Sequence, residues 1–235
     1  MKSYLYLSID LLSISVPFIF SFFTKARFYK QWKYYWPANL ICTVIFLAWD
    51  MLFTHLGVWG FNPDYLTGIY IGNLPLEEVL FFICIPYACV FTYFALNHMV
   101  EKDHFFPHQE LISSALIIGL LIFGMHYMER LYTSVTFLFL AFFLAFQMIK
   151  LRPRYMGRFY FTFLIILVPF FIVNGILTGS TLDKAVVWYN DAHNLGIRMG
   201  TIPFEDTFYG MLMILMNITI YEWLQERERW KHLRS

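Results

Sequence analysis

One eleven-residue stretch occurs twice in this chain, and the duplication decides the fold. It reads GIYIGNLPLEE over residues 68–78 and GIRMGTIPFED over residues 196–206, and the two copies align without a gap. Two further matches lie upstream: Phe61-Asn62 with Tyr189-Asn190, and, more loosely, Asp50-x-x-x-Thr54 with Asn174-x-x-x-Thr178. Self-similarity of this kind indicates that the chain consists of two related halves.

Composition indicates a membrane protein. Of 235 residues, 59% are hydrophobic and 14% are charged, whereas soluble domains carry about 25% charged residues. A soluble chain of this size has no way to bury so much apolar surface, but lipid-facing helices need not bury it. The net charge of +1 gives no reason to expect a nucleic-acid partner.

Seven apolar segments have the length of a spanning helix, about 20 residues. They cover residues 4–23, 36–56, 76–97, 111–128, 131–149, 159–177 and 204–224. We predict an all-α, polytopic integral membrane protein that forms a single membrane domain over residues 1–235. Because four helices separate the two motif copies, both copies start on the same face, as in parallel repeats. The predicted repeats are 1–100 and 131–226, joined by a connecting helix at 111–128.

Loop charges predict the orientation. Basic residues cluster after the first, fifth and seventh segments: Lys25, Arg27, Lys30, Lys33; Lys150, Arg152, Arg154, Arg158; Arg227, Arg229, Lys231, Arg234. The loop at 57–75 contains no Lys or Arg. By the positive-inside rule, the N-terminus and both acid motifs lie outside and the C-terminus lies in the cytoplasm.

Each motif places two acids at the start of an apolar helix: Glu77 and Glu78 in the first copy, Glu205 and Asp206 in the second. The structural interpretation is helix capping, with Pro75 and Pro203 in the first turn and carboxylates at the positive end of the helix dipole. Two adjacent acids exceed what capping requires, and ionisable groups entering a span are functional candidates. Adjacent helical residues point about 100° apart, so one acid of each pair should face a cavity and the other should support it. A buried carboxyl that keeps its proton is the state that a general acid needs.

Aromatic residues accompany the acids. The candidates for substrate binding are Trp49, Phe81, Phe82, Trp188, Phe208 and Tyr209. They form either an ordinary interfacial belt or a cluster whose faces stabilise a cation. Asp50 and Asn174, with Pro75 and Pro203, are candidates for structural support. The histidines show no metal-site spacing, and no glycine-rich dinucleotide motif is present, so neither a metal nor a cofactor is expected.

Duplicated Pro-x-Glu-[Glu/Asp] motifs at membrane-helix starts resemble the lycopene cyclases of the heterodimeric or fused membrane type. The resemblance is most specific at Gly72–Glu78 and Gly200–Asp206 and covers essentially the whole chain, in the fused form. It implies a cofactor-independent isomerase that closes β-ionone rings on lycopene, drawn from the bilayer. It also implies that Glu77, Glu78, Glu205 and Asp206 supply the acid and base, with other carotenoid-pathway enzymes as partners.

The resemblance further suggests a prokaryotic cytoplasmic membrane. Two alternatives stay open at this point. One is a cyclase that acts on a longer carotenoid or on one end only. The other is a proton-coupled membrane transporter, because parallel repeats with intramembrane acids also suit carriers.

Overall fold

The structure is a computed structural model and describes residues 2–24 and 27–234. Lys25, one of the predicted cytoplasmic cations, lies outside these residues. The described chain forms seven long helices: α1 Leu5–Phe20, α2 Trp32–His55, α3 Leu76–Met99, α4 Gln109–His126, α5 Leu131–Phe146, α6 Met156–Leu177 and α7 Phe204–Arg234. Helix α5 continues into a π-helical turn at Gln147–Leu151.

The all-α membrane architecture is confirmed. Among the described residues, six helical stretches are long and apolar enough to cross a membrane. They are α1 to α6, of which α1, α2, α4 and α5 are counted together with an adjoining short helical turn. Helix α7 is the longest, at 31 residues, but is more polar overall because it runs beyond residue 224 into the charged tail. Helix α2 begins four residues before the predicted start, since Trp32 to Tyr35 form an aromatic interfacial turn that hydropathy alone does not mark.

Six short strands were not predicted. They are β1 Trp59–Phe61, β2 Tyr70–Ile71, β3 Leu74–Pro75, β4 Val187–Tyr189, β5 Arg198–Met199 and β6 Ile202–Pro203. Strands β2 and β3 form a hairpin directly before α3, and β5 and β6 form the equivalent hairpin before α7. With the segments around them, residues 57–75 and 178–203 cover one end of the helix bundle, and we call these two segments the loop cap.

Strands β1 and β4 join the two halves across the loop cap. They pair antiparallel, with Gly60 opposite Trp188. The two motif copies are 128 residues apart. At this offset, the residue that pairs with Gly60 in the strands, Trp188, is also its equivalent in the second half. The two flanking pairs, Trp59–Tyr189 and Phe61–Val187, are also equivalent at this offset. So are two backbone hydrogen bonds, from the Asn62 N–H to the Val186 carbonyl (2.8 Å) and from the Asn190 N–H to the Val58 carbonyl (2.9 Å). A pseudo-two-fold axis therefore passes between Gly60 and Trp188, as in an isologous dimer interface.

Helix packing follows the same symmetry. Within the halves, α1 packs against α3 and α5 packs against α7. Between the halves, α2 packs against α7 and α6 packs against α3, so each second helix contacts the other half's third helix. Large apolar side chains such as Leu12, Val44 and Ile118 are exposed on the outer faces. A soluble protein rarely exposes so large an apolar surface, whereas a bilayer solvates it.

Candidate active site

The repeated motif builds the same local structure twice. Gly72 and Gly200 open the two-residue turns of the hairpins with φ of 65° and 68°, as the first central position of a type II′ turn requires. Each hairpin ends in its proline, and the helix starts at the next residue. Pro75 and Pro203 therefore lie immediately before the helices, rather than in their first turn as predicted. The turn and the proline together fix the position of the two acidic residues at the start of each helix.

The first acid of each pair bonds the loop cap. Glu77 Oε1 accepts the Thr67 N–H (2.6 Å), and Glu205 Oε1 accepts the Leu195 N–H (2.8 Å). Glu205 Oε1 also accepts the Thr133 hydroxyl (2.5 Å). Both side chains are fully buried, and neither lines the cavity described next. Their contacts tie each loop to the start of the helix that follows it.

The second acid of each pair, Glu78 or Asp206, lines a cavity of about 370 Å³ beneath the loop cap. The Tyr6 hydroxyl donates to Glu78 Oε2 (2.5 Å), and the Tyr132 hydroxyl donates to Asp206 Oδ1 (2.6 Å). Tyr6 and Tyr132 occupy equivalent places in the first turns of α1 and α5. Each half thus contributes to one shared cavity a carboxyl group that accepts a hydrogen bond from a tyrosine.

Tyr189 makes the second half different. Its hydroxyl donates to Asp206 Oδ2 (2.9 Å), so both oxygens of Asp206 accept a phenolic hydrogen bond. Burial and then the neighbouring Asp206 carboxyl raise the pKa of Tyr189 well above its ordinary value. Its hydroxyl therefore stays protonated and acts as the hydrogen-bond donor to Asp206.

Asp50 is a third carboxyl in the cavity wall. The indole N–H of Trp59 donates to Asp50 Oδ1, while Oδ2 is buried without a partner among the described residues. Asn174, its counterpart in the loose sequence match, also lines the cavity. It donates to the Phe170 carbonyl of its own helix (3.2 Å) and not to an acid motif.

Aromatic rings surround the acid end of the cavity. The Trp59 ring lies 5.1 Å from that of Tyr132 and 6.1 Å from that of Tyr209, in edge-to-face contacts. Phe61 and Phe81 complete this part of the wall. Cation–π attraction acts at up to about 6 Å from a ring centroid, so these faces suit a positively charged intermediate held beside the carboxyls.

Away from the acids the cavity is apolar and elongated. Its wall follows α3 from Glu78 to Thr92, about 21 Å at the rise of an α-helix. Leu12 of α1 and Pro169 of α6 also line it and are exposed near the middle of their helices. The cavity therefore opens sideways between α1 and α6, towards the lipid-facing surface.

A family model described as lycopene cyclase matches the chain over residues 3–96 and again over residues 129–224. The chain belongs to this family. Comparison with curated proteins and with solved structures gives no match. Membership implies an enzyme with carotenoid cyclase activity and a carotenoid substrate, and each matched stretch contains one copy of the motif. The exact repeat limits, 1–100 and 131–226, stay a prediction.

Six aromatic residues were predicted to bind the carotenoid of this cyclase, and two of them, Phe81 and Tyr209, line the cavity. The other four, Trp49, Phe82, Trp188 and Phe208, do not. Trp49 lies behind Tyr209, with ring centroids 5.2 Å apart. Phe82 and Phe208 pack into the core against Phe46 and Phe137. Trp188 is 47% exposed, because successive strand residues point to opposite faces and its neighbours Val187 and Tyr189 point inward.

Three polar residues of the cyclase were missed in the sequence. Tyr6 and Tyr132 had no signal beyond their equivalent positions at two helix starts. Asp10 had a clear one, an acid within an apolar span. It is fully buried on α1, one turn after Tyr6, with both carboxyl oxygens lacking a partner among the described residues. Within residues 2–24 and 27–234, no three His, Cys, Asp or Glu side chains group as a metal site.

Proposed function

We propose that the protein is a lycopene β-cyclase, an isomerase that converts the open ψ-ends of lycopene into β-ionone rings without a cofactor. The observation that carries the proposal is the shared cavity. It combines two carboxyls from repeat-equivalent helix starts with aromatic faces, an apolar groove and an opening towards lipid. These are the parts that an acid-catalysed cyclisation of a membrane-dissolved polyene requires.

The reaction needs an acid, a base and protection of a carbocation. A carboxyl group donates a proton to carbon 2 of the terminal double bond, which leaves a cation at carbon 1. The double bond between carbons 5 and 6 attacks carbon 1 and closes the ring. Loss of the proton from carbon 6 gives the β-ring. Glu78 and Asp206 are the proposed acid and base groups, because they line the cavity, while Glu77 and Glu205 hold the loop cap that encloses it.

The cavity suits one end of the substrate at a time. With the ψ-end beside the carboxyls, the polyene runs along α3 and leaves between Leu12 and Pro169 into the bilayer. Trp59, Phe81 and Tyr209 then face the ring carbons that become cationic, and their aromatic rings limit the access of water to the cation. The reaction is an isomerisation with no net redox change, so its chemistry requires no electron carrier.

We infer that the acid end of the cavity faces away from the cytoplasm. Of the 16 Lys and Arg residues that the structure describes, 12 lie in segments at the opposite end of the bundle, 27–33, 100–108, 147–158 and 225–234. This distribution supports an outer N-terminus and a cytoplasmic C-terminus. Reporter fusions within 57–75 should report an external position, and a cytoplasmic signal there would reverse the assignment.

The direct test is product analysis in a lycopene-accumulating bacterial host that expresses this chain alone. We expect β-carotene, with γ-carotene as the one-ring intermediate. The test variant is the double substitution Glu78→Gln, Asp206→Asn. Its matched control is Asp64→Asn, at an exposed acid of the loop cap. The double variant should insert normally and form no cyclic product, while Asp64→Asn should convert lycopene as the wild type does.

Other outcomes would revise the proposal. Accumulation of γ-carotene alone would indicate a cyclase that acts on one end. No conversion by a wild-type protein that is present in the membrane would reject lycopene as the substrate. Conversion that survives the double substitution would reject the two carboxyls as the catalytic groups.

A further inference from the structure

The two cavity carboxyls are equivalent in sequence but not in their hydrogen bonds. Asp206 accepts two phenolic hydroxyls, one on each oxygen. Glu78 accepts one, from Tyr6 at Oε2, and Oε1 has no hydrogen-bond partner among the described residues. Because Glu78 lines the cavity, it has an unbonded oxygen available there and Asp206 has none.

One missing hydroxyl explains the difference. At the repeat offset, Tyr189 is equivalent to Phe61, and both side chains line the cavity. The strand pairing supports the equivalence, since Phe61 and Tyr189 lie on opposite sides of the Gly60–Trp188 pair. Phe61 presents the same ring without a donor. The first half therefore lacks the second hydrogen bond that its carboxyl would otherwise receive.

The two environments suit opposite protonation states. Hydrogen bonds from two hydroxyls stabilise a carboxylate, because bonds to an ionised acceptor are stronger than those to a neutral one. A carboxyl with one unbonded oxygen can instead carry a proton on that oxygen and direct it at a substrate. The first half also contributes Asp50, with an unpartnered buried oxygen, to the same cavity wall, whereas the second half has the amide Asn174 there.

We propose that the halves have divided the reaction: Glu78 is the proton donor, and Asp206, held as a carboxylate by Tyr132 and the positioning residue Tyr189, is the base. This inference rests on the proposed cyclase function. Glu78 gives its carboxyl proton to carbon 2, and the π electrons between carbons 5 and 6 form the bond from carbon 6 to carbon 1. Asp206 takes the proton from carbon 6, and the electrons of that C–H bond restore the double bond between carbons 5 and 6. Between turnovers, one proton leaves Asp206 and one returns to Glu78 through solvent.

Deuterium exchange separates the two roles. Membranes containing each variant are supplied with lycopene in D₂O buffer, and both cyclic products and recovered lycopene are analysed by mass spectrometry. Glu78→Gln should lower cyclisation at least about 1,000-fold and leave recovered lycopene without deuterium, because the first proton is never delivered. Asp206→Asn should lower cyclisation at least about 100-fold, yet recovered lycopene should gain deuterium, because Glu78 still protonates carbon 2 reversibly.

Each contrary result is informative. Deuterium in lycopene recovered from Glu78→Gln but not from Asp206→Asn would assign the roles the other way round. Lycopene without deuterium from both variants would overturn the division of labour. If Glu78→Gln does not insert, Glu78→Asp, which retains the carboxyl, should keep exchange above that of membranes without the protein. A wild-type chain that forms no cyclic carotene would instead reject the proposed function itself.

The tyrosine and phenylalanine positions provide a second test. Tyr189→Phe removes one donor from Asp206 and should lower cyclisation about tenfold while deuterium exchange into lycopene continues at the wild-type rate. Phe61→Tyr adds a donor beside Glu78 and should lower exchange and cyclisation together, also about tenfold. Tyr70→Phe, at an exposed tyrosine of the loop cap, is the matched control and should change neither. Equal loss of exchange in Tyr189→Phe and Phe61→Tyr would contradict the proposal.

Discussion

The first half of the molecule, α1 to α3, and the second half, α5 to α7, share a backbone plan but differ in the polar side chains at the cavity. Both halves keep the glycine turn, the proline and a loop-bonding glutamate. At the cavity, the alignment of the two halves pairs Asp50 with Asn174, Phe61 with Tyr189 and Glu78 with Asp206. The comparison indicates that the duplication preserved the framework and varied the chemistry.

The largest stability difference between the halves should come from the loop-bonding acids. Glu205 accepts two hydrogen bonds from described residues and Glu77 accepts one. Each buried donor left unpaired costs about 1–3 kcal/mol, so Glu205→Ala should destabilise the protein more than Glu77→Ala. Thermal unfolding in detergent measures both, with Glu101→Ala in an exposed loop as the control. Equal destabilisation would mean that the extra bond from Thr133 contributes little.

A smaller effect is expected at Asp50, where the halves differ by an acid and an amide. Asp50→Ala releases the Trp59 indole and should lower the cyclisation rate about tenfold, since a displaced aromatic face stabilises the cation less well. Asp50→Asn copies the second half and keeps an acceptor for Trp59, so it should lower the rate less than about threefold. Initial rates of cyclic carotene formation in membranes decide between them. A tenfold loss in Asp50→Asn would show that Asp50 acts through its charge or its proton.

The smallest difference should appear at the turn glycines. Both have positive φ, so alanine at either position should cost about 1–3 kcal/mol. A Cβ on Gly72 would also approach the end of the Met51 side chain at 3.4 Å, whereas one on Gly200 meets nothing within 4 Å. Gly72→Ala and Gly200→Ala should therefore have unfolding temperatures that differ little. A much larger loss in one variant would show that the two hairpins are not equivalent in stability.

Most of the framework could be predicted because its signals are local. Apolar run length marked the helices, and the gapless duplication marked the acids and their common face. The cavity could be predicted only in part, because its partners are distant in sequence: Tyr6 lies 72 residues from Glu78. The choice between Trp59 and Trp188 as the inward tryptophan depends on the β1–β4 register, which joins the halves and leaves no local pattern. Asp10 did leave a local signal, as the acid of an otherwise apolar helix.

The central claim is that the two halves form one composite site, and single substitutions test it most directly. The measurement is the initial rate of cyclic carotene formation by Glu78→Gln and by Asp206→Asn, each normalised to protein in the membrane and compared with wild type and Asp64→Asn. A composite site predicts that either substitution alone removes nearly all of the activity. Two independent sites would instead leave about half of the wild-type rate in each variant, and that result would contradict the account.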